Sequence, residues 1–395
     1  MEDKIKILST VGLYHAFNDG AVVIIPILFP VFKELFNLTY TQVGIITGGG
    51  LLITLLTQVI MGCFSDKKNR RILLTIGILI MSFSLILITQ VTGFITLILF
   101  IFLLRFGAGF FHPGGIGWIS KTFKKERLDW AMGMQSASGD FGAFIGILTT
   151  AFIVEITDWA FPFYIWAIIG IICIFIGLSL TRNTHEKYLQ NKENNPENNN
   201  NSLFGGWEIL KRNKIFIPGL TISGCTWGII VSYLPLLLDE KTTLSLAIIG
   251  AIISIWLGIG TIICIFYGRI AGLLGRKNVV IFSYLIMGVM GFLLTFVTNV
   301  FVLIMIMIIL GLSTFLTYPA LFSYISDKTD ETFEGKIYGY IFTIQMAVGT
   351  LALFISGFTA DIWGIWTPFF ILGTLSWFVT IILVVYQKQL NTLKN

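Results

Sequence analysis

Residues 42–64 read QVGIITGGGLLITLLTQVIMGCF, residues 65–71 read SDKKNRR, and residues 72–92 read ILLTIGILIMSFSLILITQVT. A helix of about 20 apolar residues crosses the roughly 30 Å hydrocarbon core of a bilayer. The two runs therefore predict two spans, joined by a short loop holding Lys67, Lys68, Arg70 and Arg71. The same pattern continues in both directions, with further runs at 7–32, 94–119, 130–154, 159–181, 215–238, 244–267, 278–298, 300–325, 336–360 and 366–386. The expectation is an all-α polytopic membrane protein with twelve transmembrane helices.

Composition agrees. The 395 residues are 55% hydrophobic and only 12% charged, with a mean hydropathy of +0.87, whereas a soluble domain carries about 25% charged residues. A single soluble domain is excluded. The net charge of +5 points to the membrane and not to nucleic acid, because of where the charge lies. With the N-terminus inside, inner segments hold 23 of the 26 Lys and Arg, the outer loops hold only Lys33 and Lys241, and Arg105 lies within a span. Positive charge concentrates on the cytoplasmic side, so both termini are expected there and the protein is expected in the cell membrane. The run from Ile7 to Phe32 is too long for a cleavable signal and has no small-residue cleavage site. Cys63, Cys173, Cys225 and Cys264 show no metal or disulfide spacing and read as small packing residues.

One connector is long. Thr184–Ser202 reads THEKYLQNKENNPENNNNS, a composition that cannot bury a core. The expected organisation is a six-helix bundle over 1–183, a polar cytoplasmic linker over 184–213 and a second bundle over 214–395. Leu203–Lys214 is a possible interfacial helix. The halves superpose at an offset of 206: Gly44 on Gly250, Gly62 on Gly268, Arg70 on Arg276, Pro113 on Pro319, Gly133 on Gly339 and Pro162 on Pro368. The offset fails in the first span of each half. Six spans per half preserve orientation, so the repeat is parallel, an architecture of secondary transporters with a midplane site and alternating access.

The loop Gly62-Cys63-Phe64-Ser65-Asp66-Lys67-Lys68-Asn69-Arg70-Arg71 is similar to the G-x-x-x-D-R-x-G-R-R signature of the major facilitator superfamily. Its second copy keeps Gly268, Gly275, Arg276 and Lys277 but has Gly272 in place of the acid. Arg105-Phe106-Gly107-Ala108-Gly109, running to His112-Pro113, resembles a second signature of that family. His15-Ala16-Phe17-Asn18-Asp19-Gly20, Phe111-His112-Pro113 and Gly139-Asp140-Phe141-Gly142 resemble its fosmidomycin-resistance efflux branch. That resemblance implies proton-driven export of small amphiphilic or antibiotic compounds. Antiporters of the family often carry Gly-Pro where Gly146-Ile147 stands here, and uptake by proton symport is the alternative.

An ionisable side chain at the bilayer centre costs at least about 2.5–3.5 kcal/mol, so each one found there is a functional candidate. They concentrate in spans one, four and five: His15 and Asp19, Arg105 and His112, and Asp140. His15 and Asp19 are four apart, on one helical face with Asn18 between them. These five are the expected proton-coupling residues, with the proton as the coupling ion and no other cofactor. Asp19 is the expected carrier, and Arg105 is expected to hold a carboxylate ionised until the pair breaks. Arg105–Asp140 as a static pair between spans four and five is the structural alternative, and His112 ahead of Pro113 fits a helix kink equally well.

The second half has no buried charge. Trp227, Tyr233, Trp256, Tyr318 and Gln345, with Asn18 from the first, are the expected substrate-binding side chains, an aromatic wall with a few polar tips. At the cytoplasmic mouth Gly62, Asp66, Arg70, Arg71, Asp129, Gly268, Arg276 and Lys277 are the expected conformational latch, Arg70 with Asp129 as its partner and the span-eleven start near Gly335 as the docking end. Gly139, Gly142 and Gly146 form a small-residue stripe suited to close helix packing. The chain lacks a G-x-x-x-x-G-K-[ST] loop, an H-E-x-x-H and a G-x-S-x-G, so an enzyme is not expected. A non-transporting membrane sensor or scaffold would not need the midplane charges. Expected partners are a small-molecule substrate and lipid, with no nucleic acid, and the chain is expected to act as a monomer.

Overall fold

The structure, a computed structural model, describes residues 2–65, 69–123, 125–184, 217–326 and 334–392. Every regular element among them is a helix: α1 Glu2–Ile27, α2 Phe29–Phe36, α3 Tyr40–Ser65, α4 Arg70–Ile88, α5 Phe94–Ala108, α6 Phe111–Thr122, α7 Lys125–Ile156, α8 Phe161–Leu180, α9 Ile217–Lys241, α10 Leu246–Leu274, α11 Arg276–Leu294, α12 Val300–Ser326, α13 Glu334–Trp363 and α14 Thr367–Thr392. Twelve spans long and apolar enough to cross a membrane are present among these residues, with α5 and α6 counted as one. The all-α polytopic fold is thus as expected. The linker and the interfacial helix expected over 184–213 lie, apart from Thr184, outside the described residues.

Two helix ends differ from the hydropathy reading. The first span was expected over 7–32 but runs from Glu2 to Ile27. Its start is extended by a first turn in which Glu2 pairs with Lys6 at 2.6 Å. It stops because Pro30 has no N–H to give to the preceding turn. Leu28 leaves the helical path, and α2 restarts with proline in its first turn. The fourth span breaks at Gly109–Phe110, whereas its counterpart α12 runs unbroken through Pro319.

The described residues fall into two compact units. One takes Met1–Leu38, Gly49–Asn199 and Leu244–Ser254; the other takes Thr39–Gly48, Asn200–Thr243 and Ile255–Asn395. Each is built around its first helix. The apolar windows of α1 and α9 are 72% and 78% buried, against 39–50% for the other ten spans. These central helices also explain where the repeat offset fails. Pro26 inside α1 and Pro235 inside α9 are 209 apart, and the extra three residues are taken up ahead of α3, where α2 stands.

In the first unit α1 lies against α7. A side chain added at Gly142 would collide with the Ala16 backbone, and one at Gly146 would come within 2.8 Å of the Gly20 carbonyl oxygen. Tyr14 and Phe17 are buried on the other faces of α1, with the Tyr14 and Thr75 hydroxyls bonded at 3.2 Å. In the second unit Tyr284 of α11 donates to the Gly219 carbonyl of α9 at 2.7 Å. Cys173 and Cys225 are buried as expected of packing residues, but Cys264 is exposed.

Gly142→Val is expected to lower stability by about 1–3 kcal/mol or more, read as a fall in melting temperature in detergent. Gly133→Ala, where no atom lies within 4 Å of an added Cβ, is the control and should leave the melting temperature in place.

Candidate functional site

α1 carries the chemistry. His15 is buried, 5% exposed. Its Nδ1–H donates to the Gln135 carbonyl of α7 at 2.7 Å, because a carbonyl can only accept. Its Nε2 faces Asp19 Oδ2 at 3.2 Å, one helical turn further along α1. Asp19 Oδ1 in turn accepts from Asn18 Nδ2 at 2.8 Å. With Nδ1 committed as a donor, a neutral imidazole presents only a lone pair at Nε2. A lone pair facing a carboxylate oxygen is repulsive unless a positive charge lies between them. A proton on either atom would therefore be stabilised by the other.

The pair is possible because α7 presents no side chain beside it. A Cβ at Gly139 would lie 2.6 Å from His15 Nε2 and 2.7 Å from Asp19 Oδ2. On its other side the His15 ring stacks on Phe111, with centroids 4.3 Å apart, and meets His112 edge-on at 5.4 Å. Both come from the first turn of α6, which the break after α5 re-aims. The ligand-type atoms of His15, Asp19 and His112 lie within 4.8 Å of one another. Among the described residues this trio is where a small cation would be held, and its short His15–Asp19 edge suits a proton.

Arg105 and Asp140 are not bonded to this pair, although Arg105 is within electrostatic reach of Asp19. Arg105 lies with its stem against Gly50 of α3, where an added Cβ would be 3.0 Å from its Cγ, and its carbonyl accepts from Thr54 Oγ1 at 3.1 Å. Asp140 is half-buried on α7 and within electrostatic reach of Asp19 and His15. His15–Asp19 is an ion-pair contact, whereas Arg105 and Asp140 do not pair with each other.

In the second unit Trp227 packs on Trp256 at 5.4 Å, and Trp256 packs on Phe315 at 5.3 Å while its Nε1 donates to Thr314 Oγ1 at 3.5 Å. Trp256 and Tyr233 are wholly buried. Tyr233 donates to the Leu353 carbonyl at 2.7 Å, so as placed both build the unit's core. Tyr318 is half-buried and donates to the Ser223 carbonyl at 3.3 Å, and Gln345 is buried.

Of the expected latch, Asp66 and the side chain of Asp129 lie outside the described residues. Arg70 is buried and donates to the Gly117 carbonyl at 2.6 Å; Arg71 donates to the Leu178 carbonyl at 2.6 Å. The Leu178 carbonyl lies in the last turn of α8, where a cation is stabilising, whereas Gly117 lies in the middle of α6. Gly62 and Gly268 have no atom within 4 Å of an added Cβ; Arg276 is half-buried and Lys277 exposed.

Two features escape a reading of the sequence. The Gln135 carbonyl, which sets the His15 tautomer, carries no side-chain signal. Asp361 and Glu155 stand at span ends, where acids are ordinary. Yet the Asp361 carboxylate accepts from the Tyr40 and Thr41 N–H groups at 2.8 and 2.7 Å, and Glu155 accepts from the Ala247 N–H at 2.9 Å.

Comparison with known proteins agrees with this architecture. The chain is 28% identical over 149 residues to the uncharacterized MFS-type transporter YfnC of Bacillus subtilis (strain 168), covering 37% of this chain and 36% of that protein. It is 28% identical over 148 residues to the fosmidomycin resistance protein of Escherichia coli (strain K12), covering 38% and 36%. The matched stretches thus span little more than a third of these relatives. The nucleoside transporter NupG has the same fold, with a TM-score of 0.76 over 98% of this chain and 99% of that chain at 16% identity. The Major Facilitator Superfamily profile matches residues 11–353 and 219–391. Twelve spans in two repeats, a fold shared along its full length and a family match across both halves have one reading: the chain belongs to the Major Facilitator Superfamily.

Proposed function

We propose that this secondary transporter exports a small drug-like or amphiphilic compound in exchange for protons across the cell membrane, with both termini in the cytoplasm. The observation that carries the proton coupling is the His15–Asp19 contact. A shared proton at this position is held by a lone pair on one side and a carboxylate on the other, so it can be taken up and released as access alternates. His112 and Asp140 lie close enough to bias the pair, and Arg105 supplies a fixed positive charge on the same unit. Export is supported by the fosmidomycin resistance protein among the relatives. Gly146-Ile147, in place of Gly-Pro, favours proton-coupled uptake as a second reading, which uses the same pair with the opposite sign of flux. Trp227, Tyr318 and Gln345, with Asn18, are the proposed contacts for the solute. Asp66, with Arg70 and Arg71, is the proposed cytoplasmic latch.

In proteoliposomes, radiolabelled fosmidomycin and a panel of amphiphilic drugs under an imposed pH gradient should show net movement against the proton flow, monitored with an interior pH dye. Movement of solute with the protons would mean uptake. A proton falling through 100 mV supplies about 2.3 kcal/mol, roughly 50-fold in accumulation ratio. Asp19→Asn is expected to remove that factor while leaving downhill exchange; undiminished gradient-driven flux would refute the coupling role. Gly139→Ala should do the same less completely, since its Cβ forces the pair apart. A Gly139→Ala protein with full coupling would show that the contact is dispensable.

A further inference from the structure

Three ligand-type side chains converge at the His15–Asp19 contact. His15, Asp19 and His112 each offer one donor atom, and the three atoms lie within 4.8 Å of one another. Two are imidazole nitrogens and one is a carboxylate oxygen. That set suits divalent zinc, nickel, cobalt or iron, whereas magnesium and calcium prefer oxygen alone. The spacing fits as well. Bonds of about 2.0–2.2 Å from zinc to nitrogen or oxygen, opened to the tetrahedral angle, set ligand atoms about 3.4 Å apart. His15 Nε2 stands 3.2 Å from Asp19 Oδ2. The His112 ring is half-buried, and a shift of about 1.4 Å or less closes the triangle to that ligand spacing.

The surroundings give the trio the support that metal ligands need. A ligating histidine donates its other ring N–H to a carbonyl or carboxylate, which fixes the tautomer and aims the remaining lone pair at the ion. His15 does this with the Gln135 carbonyl at 2.7 Å. A ligating carboxylate is itself hydrogen-bonded, and Asp19 Oδ1 accepts from Asn18 Nδ2 at 2.8 Å. His15 is 5% exposed, yet its Nε2 makes no hydrogen bond, and neither does the buried Asn18 Oδ1. Buried lone pairs beside a carboxylate are a pattern that an ion satisfies. Gly139 keeps the space beside the two short-edge atoms open, because an added Cβ would lie 2.6 Å from Nε2 and 2.7 Å from Oδ2. The Asp19 side chain is 26% exposed, which gives the ion a way in. Asp140 adds a second carboxylate within electrostatic reach of the pair, and Arg105 adds one cation within reach of Asp19.

We propose that His15 Nε2, Asp19 Oδ2 and the His112 ring bind one divalent transition-metal ion. The site rests on geometry within one unit. Its consequence for transport rests on the proton-coupling reading: an ion on these atoms excludes the coupling proton from them. Calorimetric titration of the full chain in nanodiscs with Zn²⁺ should give one ion per chain, undisturbed by excess Mg²⁺. Co²⁺ should give the visible d–d bands of a nitrogen–oxygen site without the charge-transfer band of a thiolate. Asp19→Asn and His112→Gln should each weaken binding by more than about 100-fold, and Asn18→Ala, which removes only outer support, by about 10–100-fold. His185→Gln, at the remaining histidine of the chain, should bind as the native protein does. No saturable binding, binding that survives Asp19→Asn or His112→Gln, or loss of binding in His185→Gln would overturn the proposal. Should Asp19→Asn fail to fold, His112→Gln, at a half-buried ring, carries the same test. In proteoliposomes saturating Zn²⁺ should abolish gradient-driven flux, and a chelator should restore it. Flux that persists with the ion bound would leave the metal site standing and refute the coupling reading.

Discussion

Two atoms that both carry lone pairs, His15 Nε2 and Asp19 Oδ2, face each other at 3.2 Å inside the most buried helix of the first unit. Neither can turn away. The ring is fixed by its Nδ1–H bond to Gln135 and by stacking on Phe111, and the acid is fixed by Asn18. The local architecture serves this contact. Gly139 leaves room for it, Gly142 and Gly146 bring α7 close enough to offer the Gln135 carbonyl, and the break between α5 and α6 brings Phe111 and His112 to the ring. An unbalanced charge in such surroundings costs several kcal/mol. A proton held by the pair would remove that cost, which is the physical basis of the proposed coupling.

The two units share a plan and differ in what they place on it. Gly50 makes room for the Arg105 stem in the first unit. At the same offset of 206 the second unit has Trp256 and Gly311, with Gly311 clearing space for the Trp256 backbone. The large residue has changed helix. Gly139, which admits His15 and Asp19, is likewise replaced by Gln345. One unit is thus equipped with ionisable groups and the other with an aromatic and amide core.

Much of this was legible beforehand because it rests on terms that add along the chain. Hydropathy sums over a span, so the count of twelve was readable. Lys and Arg placement and the 206 offset, anchored by Pro113 and Pro319, made the repeat readable as well. Asp19 and His15 stood out through their cost in lipid and their spacing of one turn. What escaped depends on neighbours distant in sequence. The link from His15 to a backbone carbonyl 120 residues away has no sequence signature. Arg105 and Asp140 looked like partners because opposite charges in adjacent spans attract, but Gly50 offers the arginine stem a place elsewhere. Pro30 ended the first span earlier than hydropathy implied, because an apolar run continues through a proline that a helix does not tolerate.

The proton between His15 and Asp19 is the central claim, and nitrogen-15 NMR of selectively labelled histidine in lipid nanodiscs, assigned by a His15→Gln control, tests it most directly. The account predicts that Nδ1 is protonated and that Nε2 carries or shares a proton in the native chain, with Nε2 reverting to a free acceptor when the position-19 carboxylate is replaced by an amide. A native spectrum in which His15 Nε2 is already a free acceptor would contradict it.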